Sequence, residues 1–112
     1  MTIQNQQILA HGFLRDMEED SYFPAAQVEK GKAILRNLCV VIEADKPTSL
    51  ERLYALTHAA TEAFNLLGEE LEEHGSELET AARECIGADF AFIAGAYGFE
   101  ADIEELIAPR EW

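Results

Sequence analysis

Residues 48–76, TSLERLYALTHAATEAFNLLGEELEEHGS, decide the fold. Leu50, Leu53, Leu56, Thr57, Ala60, Phe64, Leu67 and Leu71 recur at three- and four-residue steps, which lays their side chains on one face of an α-helix. Thr48 and Glu51 stand at capping-box spacing ahead of that stripe and predict its start. His74-Gly75-Ser76 ends it, because glycine takes the left-handed conformation that closes a helix. Ser76 and Glu79 repeat the capping-box spacing at once, so a second helix and an antiparallel hairpin are expected across this turn.

The same period extends outward in both directions. Upstream, Pro24 can occupy the first turn of a helix whose inner face carries Val28, Gly31, Ile34, Leu35, Leu38, Val41 and Ile42. That helix runs to about Ala44, and Lys46-Pro47 stops it. Downstream, Ser76 to Tyr97 puts Leu78, Ala81, Ala82, Cys85, Phe92, Ile93 and Ala96 on one face, with Gly98 as the C-terminal cap. A last short helix can hold Ile103, Leu106 and Ile107 before Pro109. Phe13, Leu14 and Met17 suggest another, packed over one end. The first ten residues are weakly patterned and are expected to fray. No stretch alternates apolar and polar residues as a half-buried strand would. The expectation is an all-α fold: one domain over residues 1–112, a helical bundle of three long helices with short flanking helices at both ends.

Composition agrees. At 112 residues, scaling of surface with mass gives roughly 6,200 Å² folded against about 18,000 Å² unfolded, enough burial for a core without staples. A 48% hydrophobic content excludes an acidic disordered tail. The longest apolar run, Phe90 to Tyr97, has eight residues, far short of the ~20 that a membrane span needs. No signal peptide is recognisable in residues 4–15. Cys39 and Cys85 are far apart with no CxxC, and read as reduced, partly buried thiols of a cytoplasmic protein.

The net charge of −14 disfavours nucleic acid and anionic membrane as partners. It is also unevenly placed. Residues 1–52 hold 8 acidic and 6 basic side chains, whereas residues 53–112 hold 14 and 2. Glu69, Glu70, Glu72 and Glu73 crowd a helix C-terminus, where the macrodipole disfavours anions. Local stability does not select that arrangement, so these four are the candidate partner-binding residues, for a basic protein. A solvated face that favours solubility explains them more simply, and both readings stand.

Motifs with a mechanism are missing. There is no HExxH, no Glu-x-x-His, no GxGxxG and no P-loop, and Ser49 and Ser76 sit where helix caps are required. No catalytic residue, cofactor or metal is therefore expected. His58 with Glu62, and Glu70 with His74, have a spacing that can hold a metal, but an ordinary polar helix surface accounts for each. Asp89 is the anomaly. Helical projection places it near the centre of the apolar face, where a carboxylate needs a partner or a raised pKa. Lys30, Lys32, Arg36, Thr57, Thr61, a tyrosine hydroxyl and His11 are the candidate partners. The bland accounts are a cap or a structural hydrogen bond. The functional account is a ligand pocket of Asp89, Tyr22, Phe23 and Tyr54, beside the acidic, aromatic bend of residues 16–23.

The strings Asp20-Ser21-Tyr22-Phe23-Pro24, Glu29-Lys30-Gly31-Lys32-Ala33-Ile34-Leu35 with Leu38-Cys39, Leu53 to Glu62 (LYALTHAATE), Glu79 to Glu84 (ETAARE) and Ala96-Tyr97-Gly98-Phe99 resemble a family of small bacterial proteins catalogued only as a domain of unknown function. The resemblance covers about Phe13 to Trp112. It implies a bacterial, cytosolic, stand-alone domain and transfers no activity and no catalytic residue. The leading functional expectation is a non-enzymatic interaction module, such as an inhibitor, an immunity-type protein or a regulatory subunit, that binds a basic partner. Self-association as a homodimer through an exposed apolar helix face is compatible with it. The alternatives are a small-molecule or metal-binding domain at Asp89 and the 16–23 bend, and a mimic of nucleic acid.

Overall fold

The long helices end where the local chemistry of the chain demands it. In the computed structural model, which describes residues 3–112, helix α3 spans Ala25–Asp45, α4 Leu50–Glu73 and α5 Thr80–Ala96. Short helices α1 (Gln6–Leu9), α2 (Arg15–Glu18) and α6 (Ile103–Leu106) flank them, and no strand occurs among the described residues. Pro24 precedes α3, and Lys46, in the left-handed region at φ 54°, closes it. At the end of α4, the Gly75 amide bonds Glu72 O and the Ser76 amide bonds Leu71 O at 2.9 Å. This double closure requires a left-handed residue, and Gly75 supplies it at φ 77°. Gly98 repeats the device after α5, with the Phe99 amide bonded to Ala94 O.

Two predicted caps move. Ser49, not Thr48, caps α4, its hydroxyl accepting from the Arg52 amide at 3.2 Å. Helix α5 begins at Thr80 with the Glu79 carboxylate as cap, not at Ser76. The reason is that the Ser76 amide already closes α4, so Ser76 belongs to the end of one helix and cannot start the next. Its buried hydroxyl has no partner among the described residues.

Helices α3 and α4 form the closely packed pair. At their crossing Gly31 is required: a Cβ there would lie 2.7 Å from Leu14 Cδ1 and 3.3 Å from Phe64 Cε1. The expected α4–α5 hairpin is not a close pair. Residues 74–79 form an irregular crossover with Leu78 buried, and α5 packs chiefly on α1, α2, α3 and α6, meeting α4 through the edge-to-face rings of Phe90 and Phe64, 6.0 Å apart. Having neighbours on several sides rotates its buried face. Ala82, Ile86, Gly87, Asp89, Phe90, Ile93 and Ala94 are buried, while Ala81 and Phe92, predicted inside, are exposed and Cys85 is half-buried. Leu35, Leu53, Phe64, Ile86, Phe90, Ile93 and Leu106 form the sealed centre. The accessible surface, 6208 Å², is what mass scaling gives for a single packed domain.

Residues 4–8 are tied down rather than frayed. Ile8 is buried, the Gln4 and Asn5 amides donate to Glu43, and Asn5 Nδ2 donates to Ala96 O at 2.8 Å. Met1 and Thr2, also part of the predicted fraying, lie outside the described residues. The C-terminal segment is strapped onto α4 in the same way. His58 Nε2 donates to Glu105 O, Asn65 Nδ2 donates to Pro109 O, and Asn65 Oδ1 accepts from the Glu111 amide.

Candidate functional site

Asp89 is buried, as projection required, and its carboxylate is fully engaged. Oδ2 accepts from the Leu14 amide at 2.7 Å and Oδ1 lies 2.8 Å from His11 Nε2. Leu14 itself is held at φ 52°, a left-handed conformation that costs a leucine roughly 1–2 kcal/mol. Its side chain is nevertheless sealed in the core, so the Asp89 bond fixes a strained residue at the point where the N-terminal segment dives inward. His11 is stacked on Phe92, with ring centroids 3.9 Å apart, and meets Phe13 edge-on at 5.1 Å. Of the candidate partners for Asp89, His11 is the one it meets. The arrangement is a clasp between α5 and residues 11–14.

The other predicted pocket residues lie elsewhere. Phe23 is buried and Tyr22 exposed, their rings edge-to-face at 5.0 Å, with the Asp20 carboxylate accepting from the Tyr22 amide to close the bend. Tyr54 is stacked with His58 on α4. The small hollow beside Asp89, about 260 Å³, is walled by residues 10–12, Arg15, Asp16, Cys85 and Ala88. Tyr22, Phe23 and Tyr54 take no part in it, so the four residues grouped from sequence do not form one site.

The acidic turn is a different kind of place. Glu69 and Glu72 from α4, Glu77 and Glu79 from the crossover, and Glu111 from the C-terminal segment line one hollow of about 570 Å³, with Trp112 and Arg83 in its wall. None of these five carboxylates makes an ion pair among the described residues, and Arg83, the one cation in the wall, makes none either. The buried Nε of Arg83 and Nε1 of Trp112 are both without a hydrogen-bond partner among the described residues. Of the four glutamates read from sequence, Glu69 and Glu72 line the hollow. Glu70 turns the other way: Lys30 and Gln27 of α3 bind its carboxylate and hold it below its ordinary pKa. Glu73 is exposed beside the turn. Sequence reasoning missed Arg83, Glu111 and Trp112 as members, because the last two reach the hollow only through the Asn65 tether.

The remaining polar networks are structural. Burial opposes ionisation of Glu43, yet the Tyr97 hydroxyl, donating at 2.5 Å, and the Gln4 and Asn5 amides outweigh it and hold the carboxyl below its ordinary range. Burial pushes the Cys39 thiol up to about 12, which makes it a poor nucleophile, and also raises Cys85. Both cysteines are free. No group of three or more His, Cys, Asp or Glu side chains is placed to hold a metal among the described residues. No helix among them is long and apolar enough to cross a membrane.

No curated protein and no solved structure is significantly similar to this chain. The model of the Family of unknown function (DUF5713), by contrast, matches residues 7–112, a span that takes in both the Asp89 clasp and the Trp112 wall of the acidic hollow, and the chain belongs to that family.

Proposed function

We propose that this chain is a non-enzymatic binding domain whose acidic hollow at the α4–α5 crossover receives a basic segment of a protein partner. The observation that carries the reading is the convergence of Glu69, Glu72, Glu77, Glu79 and Glu111 on one concavity, with no cation among the described residues paired to any of them. A concave wall with five carboxylates against the one guanidinium of Arg83 focuses a negative field and attracts a positively charged ligand. The C-terminus of α4, whose last turn holds no basic residue, adds its partial negative charge to the same place. Trp112, partly buried against Phe64, places an aromatic ring in the same wall, a group that attracts a lysine or arginine head. A reducing, cytoplasmic setting belongs to this reading and is supported by the two free thiols. A ligand site at Asp89 is the weaker alternative, since both of that residue's carboxylate oxygens already have partners.

The test is a titration with a hexa-arginine peptide followed by the fluorescence of Trp112, the chain's single tryptophan. Saturable quenching that weakens steeply between low and moderate salt is expected, with a loss of about tenfold or more in Glu69→Gln/Glu72→Gln/Glu77→Gln/Glu79→Gln. A charge-matched control, Glu19→Gln/Glu84→Gln/Glu100→Gln/Glu105→Gln, should retain binding. Equal losses in the two quadruple variants, or binding indifferent to salt, would overturn the reading. Pull-downs from a native extract at two salt concentrations would then identify the partner.

A further inference from the structure

Cations are scarce in this chain, 8 against 22 acidic side chains, and a cation with a free choice of partners would be expected to find one. Lys30, Lys32, Arg52 and Arg110 do. Lys46, Arg83, Arg15 and Arg36 make no ion pair among the described residues, and the guanidinium groups of Arg15 and Arg36 have no hydrogen bond there either. Both nevertheless line one hollow of about 360 Å³, between the N-terminal segment and α3, together with Lys32. Glu18 is the single acidic side chain in its wall, and Lys32, its side chain only 12% exposed, contacts that carboxylate and also Glu29 on its own helix. Among the described residues the wall thus carries three cationic side chains and one anionic one in a molecule of net charge −14.

The geometry is built rather than incidental. Gly12 leaves the space in which the Arg15 guanidinium folds back: a Cβ there would be 3.0 Å from its Nη2. The segment that carries Gly12 and Arg15 is fixed by the Asp89 bonds to His11 and Leu14 on one side of it. Ile3, Ile8 and Phe13 supply an apolar flank to the same hollow. Paired guanidinium groups in fork geometry match the oxygens of a carboxylate or phosphate, and an apolar flank beside them takes the body of such a molecule. We infer that this hollow is a binding site for a small amphipathic anion, with an oxyanion head held by Arg15 and Arg36 and a short apolar body against Ile3, Ile8 and Phe13. The site is independent of the acidic hollow and stands or falls without it.

The full chain, labelled with ¹⁵N, is titrated with hexanoate, hexyl phosphate and hexylammonium and followed by amide chemical shifts. Hexanoate or hexyl phosphate should give saturable shifts at residues 8–15 and around Arg36, with a Kd near ~1 mM or tighter for so small a ligand. Whichever of the two binds more tightly identifies the head as carboxylate or phosphate. Arg15→Gln/Arg36→Gln should weaken that binding by at least about tenfold. Both residues are exposed and unpartnered, so this variant is expected to fold. Lys46→Gln/Arg110→Gln removes the same charge elsewhere and should change affinity less than about twofold, which separates local contact from the overall field. The absence of saturable shifts with both anions, equal binding of hexylammonium, or unchanged binding in Arg15→Gln/Arg36→Gln would overturn the proposal. Co-sedimentation with phosphatidylglycerol vesicles in place of soluble-anion binding would overturn it too.

Discussion

The N-terminal clasp and the α4–α5 crossover use the same chemical group to opposite ends. At the clasp, Asp89 and Glu43 have every oxygen directed at an amide, a histidine or a tyrosine of a segment distant in sequence, and they hold residues 3–14 on the bundle. At the crossover, the carboxylates of Glu69, Glu72, Glu77 and Glu111 make no ion pair among the described residues and line a common hollow. A carboxylate whose lone pairs are occupied within the fold contributes to stability. One left unpaired on a concave surface is available to a partner, and near a helix C-terminus it works against its own helix.

Mutations should break this contrast in order of size. Asp89→Ala leaves the Leu14 amide buried and unpaired while the left-handed strain at Leu14 persists, so unfolding free energy should fall by about 2–4 kcal/mol in urea titrations. Asp89→Asn, which keeps an acceptor, should lose roughly half as much. Glu43→Ala should cost about 1–2 kcal/mol and release the first residues to rapid amide exchange. Gly75→Ala, which places a Cβ at φ 77°, should cost about 1 kcal/mol, smaller because nothing lies within 4 Å of that Cβ. Glu69→Gln, Glu72→Gln and Glu73→Gln should each raise stability by a few tenths of a kcal/mol at low ionic strength, a gain that salt removes. A loss of stability in the last set would show that the crossover carboxylates are structural after all.

Acid sharpens the comparison further. Glu43, Glu70 and Asp45 are held below their ordinary values, Asp45 by its hydrogen bonds from Arg52. Carboxyls of this kind contribute stability that is fully present above their unfolded pKa and is lost as pH falls through the depressed folded value. Stability should therefore decline as the pH drops below about 4.5, and the decline should be shallower in Glu43→Gln, measured by thermal unfolding across pH 3–7.

Local signals were legible wherever a single turn of chain carries them. The stripe of residues 50–71 located α4, Gly75 and Gly98 closed their helices as expected, and the polar residue in an apolar stripe marked Asp89 as buried. The choice between Ser49 and Thr48 as cap was not legible, because adjacent hydroxyls satisfy the same local rule and only the entry angle of the chain separates them. The face of α5 was misjudged by about one residue, since periodicity assumes one buried side and α5 has neighbours on several.

The sequence by itself therefore determined the helices, most of their ends, and the acidic bias of the second half, because propensity, capping and charge act within a few residues. Tertiary structure alone decided that Asp89 meets His11 across 78 residues, that Glu111 joins Glu69 and Glu72 through the Asn65 tether, and that Arg15 and Arg36 line the same hollow. Those pairings depend on the angles at which whole helices cross, and helix angles follow from the sum of all side-chain contacts in the core rather than from any short stretch of chain.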